Sequence, residues 1–321
     1  MSSEIDRHEM QECISAISNL FSSIYVLPDV GMQVVDSLTD LQSTDQLIGL
    51  NRDAFCTVIT ETMQSVSGDR HLQLSYDPEF YEMLVEKLQQ PQTERDSNPL
   101  YLHYNCNIPK VERMAGNIGY LKIDGFVGLN PGKTVLDPAL LFLQNCDAII
   151  IDLRDNEGGR PELVHYLISH FIRDQNVQLT SLYDAEEDKL HTYQTTSELV
   201  TEQLLDVPLY LLTSSTTFSA GEDLTYTLKA LNRAKLIGEQ TGGGGHAGGF
   251  KTLQYGYYIW ISTKRAINPI TNSNWEGTGI VPDINVDAED ALQIAHQLAL
   301  EAVLDQSRDP HEVTQALSEY Q

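Results

Sequence analysis

Positive charge is what this chain has least of. Its 321 residues carry 20 lysines and arginines against 46 aspartates and glutamates, a formal net charge of -26. That imbalance argues against nucleic acid, an anionic membrane surface or any other polyanion as partner, and it favours basic ligands. A solvated acidic surface accounts for the same numbers. Cysteine is scarce too. Cys13, Cys56, Cys106 and Cys146 share no C-x-x-C spacing, which excludes a zinc knuckle and leaves buried free thiols as the expectation. No apolar run approaches the length of a membrane span. The opening MSSEIDRHEMQE lacks a basic segment followed by an apolar one. The expectation is therefore a cytoplasmic protein, or a secreted or periplasmic one if a leader has been removed. There is no internal repeat and no low-complexity segment.

Hydrophobic content is ordinary, at 41%, so a full core can be buried. Residues 4 to about 67 read as three helices: Ile14, Ile17, Leu20, Phe21 and Ile24 recur at helical spacing, then Val30, Val34, Val35 and Leu38, then Phe55, Val58, Ile59 and Met63. Pro28-Asp29 separates the first two, and Gly68 ends the third. At Gly68 the period changes from helical to alternating, with Leu72, Leu74 and Tyr76 on one face of a strand. His71 stands at that junction. Residues 77–100 read as a short helix and an exposed polar loop, and Tyr101–Asn107 as a strand. The expected organisation is a helical domain over 1–75, an α/β (α+β) core over 76–305, and a loosely held tail over 306–321.

Two turns carry the chemistry. The run DAIIIDL, Asp147 to Leu153, is apolar enough for a central strand buried on both faces. It delivers Gly158-Gly159, a tight turn able to present backbone N–H groups where open α/β sheets hold ligands. The second apolar run, Leu209 to Leu212, leads through a polar turn to Ser219-Ala220-Gly221-Glu222 and a helix. A serine there is lifted above the sheet, with the following N–H groups and the helix dipole favouring an anion beside it. Taken alone, Ser219 reads first as a helix cap. Further on, Gly242 to Gly245, His246 and Gly248-Gly249 form either a flexible loop or a backbone-lined wall. Alanine-rich 288–304 is expected as the final helix.

Six strings then add up. GDRHL at 68–72, GYLKIDGF at 119–126, IIIDLRDNEGG at 149–159, TFSAGED at 217–223, GEQTGGGGH at 238–246 and WEGTGIVPD at 275–283 stand in the order found in C-terminal-processing and tricorn-type serine peptidases. With IYVLPD at 24–29, the chain resembles the branch that includes interphotoreceptor retinoid-binding protein. The resemblance implies a crotonase/ClpP-like ββα core behind a helical N-terminal domain. The 45 or so residues between His71 and Gly119 are too few for the PDZ domain many members insert there.

By the same resemblance Ser219 is the nucleophile. The lysine of the processing peptidases is replaced by Gly244, so the base is the tricorn-type histidine, His71, oriented through Glu276. Arg70 stands where tricorn-type enzymes have a serine, which alters the orienting network. His246 is the reserve base. The Ala220 N–H with that of Gly158 or Gly159 would form the oxyanion hole. No metal or organic cofactor is called for. The reading is a serine hydrolase, most simply a peptidase acting on peptide. The alternatives are a binding protein for an apolar, retinoid- or fatty-acid-like ligand, with Tyr257, Tyr258, Trp260 and Trp275 lining its pocket, or an acyl-transfer enzyme of a biosynthetic pathway.

Overall fold

The computed structural model describes residues 4–90, 99–202 and 204–320. In chain order the strands are β1 (Gln73–Tyr76), β2 (Lys110–Met114), β3 (Ile118–Lys122), β4 (Ala148–Asp152), β5 (Ser181–Asp184) and β6 (Lys189–His191). They continue with β7 (Leu209–Thr213), β8 (Lys235–Gly238), β9 (His246–Thr252), β10 (Tyr257–Ile267) and β11 (Ile284–Asn285). They form two sheets, and the chain divides into two compact units.

The first unit comprises Met1–Arg95, Leu182–His191 and Gly244–Ile267. Its helices are α1 (Arg7–Ser23), α2 (Pro28–Gln42) and α3 (Arg52–Ser67). Asp6 caps α1 by accepting from the His8 N–H at 2.7 Å, Pro28 begins α2, and Asn51 caps α3 through the Ala54 N–H. Gly31 lets α2 close on α1: a β-carbon there would lie 2.7 Å from the Phe21 carbonyl oxygen. The sheet runs β1-β10-β5-β6, with β9 also on β10. Phe21, Phe55, Ile59 and Met63 from the helices meet Leu74, Tyr257, Ile259 and Ile261 from the sheet in one core. This unit exceeds the expected 1–75 block. The sequence places β5, β6, β9 and β10 over a hundred residues after the helices they join, and no local period reports such a partnership.

The second unit comprises Asp96–Ser181, Thr192–Gly243 and Asn268–Gln321. Its six-stranded sheet has the order β11-β8-β7-β4-β3-β2, parallel except where β2 meets β3. Every residue of β4 and β7 is buried, as their unbroken apolar runs require. Ile118, Ile150, Leu212 and Ile237 pack against Ala291, Ala295, Ala299 and Leu300 of the helix Ala291–Val303. All four cysteines are free and buried. No helix among the described residues is long and apolar enough to cross a membrane.

Two local expectations are corrected. Tyr101–Asn107 is not a strand: Pro99–His103 is a helical turn, and Asn105, Cys106 and Asn107 all have left-handed backbone, with φ of 49°, 52° and 61°. Asparagine tolerates that region, and alternation says nothing of it. The loop expected after Gln90 falls on residues 91–98, outside the described residues. Nor is the chain loose after Asp305. Asp309 caps a further helix, Pro310–Leu317, by accepting from the Glu312 N–H. Val313 and Ala316 enter the core of the second unit, and Arg113 pairs with Glu312 at 2.9 Å. Val313→Ala is therefore expected to lower unfolding free energy by about 1–3 kcal/mol, the scale for truncating a buried aliphatic side chain. Urea denaturation measures it, and a change below ~0.3 kcal/mol would mean that this helix contributes nothing to the core.

Candidate active site

The second unit carries the serine. Ser219 ends the turn after β7 and precedes the helix Ala220–Ala230. Its backbone sits at φ 51°, ψ -115°, a conformation that costs a residue with a β-carbon about 1–3 kcal/mol and persists only when its surroundings impose it. The surroundings are visible. The Phe218 N–H donates to the Asn156 carbonyl at 2.9 Å. The Ser219 N–H donates to Glu222 Oε2 at 3.0 Å. One turn on, Asp223 Oδ2 lies 3.0 Å from His165 Nε2, both side chains buried, which ties this helix to Pro161–Ser169.

The Gly158-Gly159 turn stands directly against the serine. A β-carbon on Gly158 would lie 2.7 Å from Ser219 Cβ, and on Gly159 2.0 Å from the Phe126 carbonyl oxygen. Both glycines have positive φ, 107° and 130°, so only glycine fits. The Gly158 N–H is not available as an oxyanion donor: it donates to Asn156 Oδ1 at 2.9 Å. Asn156 is itself fixed by its Nδ2 on the Ile123 carbonyl. No described residue accepts from the Gly159 or Ala220 N–H. Of the three expected donors, Gly159 and Ala220 are thus the two whose N–H has no such acceptor.

The glycine-rich segment is a wall. Gly242 donates to the Thr217 carbonyl, Gly243 to Glu222 Oε1, and the Gly277 N–H reaches the Gly243 carbonyl. From His246 onward the chain is strand β9, paired with β10. Glu276 lies half-buried in the second unit, its N–H on Asn274 Oδ1.

The first unit carries His71 and His246. Gly68 closes α3 with left-handed backbone, and the chain turns through Asp69, which is wholly buried. Asp69 Oδ1 accepts the His71 backbone N–H at 3.0 Å and lies 3.7 Å from His71 Nδ1. Its Oδ2 accepts from the Tyr25 hydroxyl at 3.2 Å and lies 3.7 Å from His246 Nδ1. The His71 ring also lies parallel to that of Trp260, 6.4 Å away. Burial pushes the Asp69 carboxyl upward, but the His246 and His71 imidazoles, each 3.7 Å away, and the Ser262 hydroxyl outweigh it and hold the group well below the usual carboxylate range. One buried anion therefore faces both imidazoles. Arg70, between Asp69 and His71, is exposed. The motif resemblance gives orientation to Glu276 and no role to Asp69. The available signal was the spacing D-x-H immediately after a helix-ending glycine.

The family model of peptidase family S41 matches residues 117–286, more than half of the chain. The chain belongs to peptidase family S41. The S41 match spans β3, the glycine turn, Ser219 and Glu276, while Asp69 and His71 precede it. Among curated proteins the chain is similar to a "Probable CtpA-like serine protease" of Staphylococcus epidermidis, 29% identical over 173 residues, 53% of this chain and 34% of that one. It spans about a third of the length of that relative. Among solved structures it shares its mixed α/β fold with the photosystem II D1 C-terminal processing protease (TM-score 0.54, 15% identity, 87% and 94% of the two chains covered). It also shares that fold with mature CPAF (TM-score 0.62, 11% identity, 93% and 98% covered).

The depressed Asp69 carboxyl fixes the sign of a pH effect. Its folded value lies below its unfolded one, so its stabilisation is complete above about pH 4, the ordinary carboxylate value, and is lost as the pH falls through the lower folded value. Asp69→Asn should thus lower Tm at pH 6 and differ less from the unaltered protein at pH 3. A gap that widens toward acid would contradict this electrostatic account.

Proposed function

We propose that this S41 protein is a serine peptidase of the tail-specific or tricorn type, with Ser219 as nucleophile and His71 as general base. The observation that supports it most is the forced backbone of Ser219 beside two unengaged N–H groups, those of Ala220 and Gly159. A helix cap alone needs neither the strain nor the glycine pair.

In this reading the Ser219 hydroxyl attacks a peptide carbonyl while neutral His71 takes its proton. The carbonyl oxygen becomes an anion and is held by the Gly159 and Ala220 N–H groups, each worth ~3 kcal/mol in hydrolases of this kind. The imidazolium returns the proton to the leaving amine, and water, activated by the same base, releases the acyl group. Asp69 is suited to stabilise the imidazolium and fix its tautomer, the role the motif resemblance gives to Glu276. Within the family we propose the interphotoreceptor retinoid-binding protein-like branch, on the strength of IYVLPD at 24–29 and the Gly243-Gly244-Gly245 string that lacks the lysine.

A fluorophosphonate probe tests the proposal. The unaltered protein should be labelled on Ser219; Ser219→Ala should abolish labelling and His71→Ala should slow it at least ~100-fold, the usual weight of a general base. Loss of labelling in His246→Ala with His71→Ala unaffected would transfer the base to His246. No labelling of the unaltered protein would favour the apolar-ligand binding reading.

A further inference from the structure

Glu222 is absent from the reaction just described, yet it is the most completely enclosed acidic group at the elbow, with no exposed surface. A carboxylate withdrawn from water must be repaid by donors. Donors meet Glu222 in two places. Oε2 accepts the Ser219 N–H at 3.0 Å. Oε1 accepts the Thr241 hydroxyl at 2.5 Å and the Gly243 N–H at 2.7 Å. The same Thr241 Oγ1 accepts from the Ile280 N–H at 2.8 Å, and the Gly243 carbonyl accepts from Gly277. One side chain therefore joins the strained serine, the first glycines after β8, and the 275–280 loop that contains Glu276.

We infer that Glu222 is a positioning residue that couples the backbone of Ser219 to the Thr241–Gly243 wall, so that the serine is aligned only while the wall is in place. This rests on the proposed role of Ser219. A helix cap has no use for the second oxygen: capping is complete once Glu222 holds the Ser219 N–H. The second oxygen adds nothing to the helix and brings residues twenty positions away into register with the nucleophile. Ordinary capping residues are also solvated, whereas here the carboxyl group sits in a dry site, where hydrogen bonds are stronger. A shift of the serine of about 1 Å is enough to cost roughly 100-fold in rate.

Glutamine is the informative replacement. Its amide has one acceptor oxygen, and whichever arm that oxygen serves, the NH₂ meets a donor on the other. The experiment compares the full chain with Glu222→Gln, Thr241→Val and the double variant. Inactivation by the fluorophosphonate probe is followed at several probe concentrations, so that the maximal rate separates from the half-saturating concentration. All measurements are made below the melting transition of each variant. Glu222→Gln should lower the maximal rate at least tenfold with half-saturation changed less than twofold. Thr241→Val, which leaves the Ser219 arm in place, should lower it severalfold, and the double variant should be no slower than Glu222→Gln. A purely structural role would lower Tm but leave the maximal rate of the folded protein within twofold, and that result would overturn the inference. So would multiplicative effects in the double variant. If Glu222→Gln does not fold, Thr241→Val decides alone.

Amide hydrogen exchange gives a readout independent of catalysis. In Thr241→Val the Ser219 and Gly243 amides should lose protection together. Unchanged Ser219 protection would defeat the coupling, even in a protein that the probe does not label. Absence of labelling in the unaltered protein counts against the nucleophile reading instead, and exchange still decides the coupling.

Discussion

A residue with a β-carbon does not rest at φ 51°, ψ -115° unaided, and the carboxyl edge of the six-stranded sheet is arranged around holding Ser219 there. The arrangement has a clear order of dependence. β4 and β7 are apolar throughout because both faces are covered. Their neighbouring ends bring the Asn156–Gly159 turn against the serine. Asn156 then engages both sides of that contact, accepting the Phe218 N–H on its carbonyl and the Gly158 N–H on its side chain. Only with Gly158 lacking a side chain can the two turns approach this closely. The polar network is buried and satisfied, the condition under which such networks specify one geometry instead of weakening the core.

In the first unit, polar chemistry is concentrated on Asp69. Burying a carboxylate costs several kcal/mol unless donors meet it. Here a backbone N–H, a phenol and two imidazoles surround it. The consequence is an anion that stays ionised and an imidazole with its Nδ1 side turned toward negative charge. His71 and His246 face the same acid from its two oxygens.

Much of this was legible in the sequence, and the limits have physical causes. The helix faces of residues 7–67 follow from period and caps, since both are local. β4 and β7 follow from unbroken apolar runs. The elbow follows from a serine between such a run and a helix start. Left-handed backbone at Asn105, Cys106 and Asn107 leaves no periodic trace. The helix Pro310–Leu317 has only Val313 and Ala316 as buried apolar contacts, too few for a pattern to announce. Which glycine N–H remains for an oxyanion depends on Asn156 choosing Gly158, a matter of ångströms that composition does not encode. Asp69 is not legible because aspartate after a helix end usually faces water, and its burial depends on strands that arrive nearly two hundred residues later.

That separation bears on how the protein is made. The first unit draws α1–α3 from the start of the chain and β10 from residues 257–267. On the ribosome the helices emerge about two hundred residues before Tyr257, Ile259 and Ile261 exist to cover Phe55, Ile59 and Met63. At roughly 5–20 residues per second this interval is on the order of ten seconds or more. For that time half a core is exposed on a nascent chain. The large excess of acidic residues disfavours association of such half-covered chains through mutual repulsion.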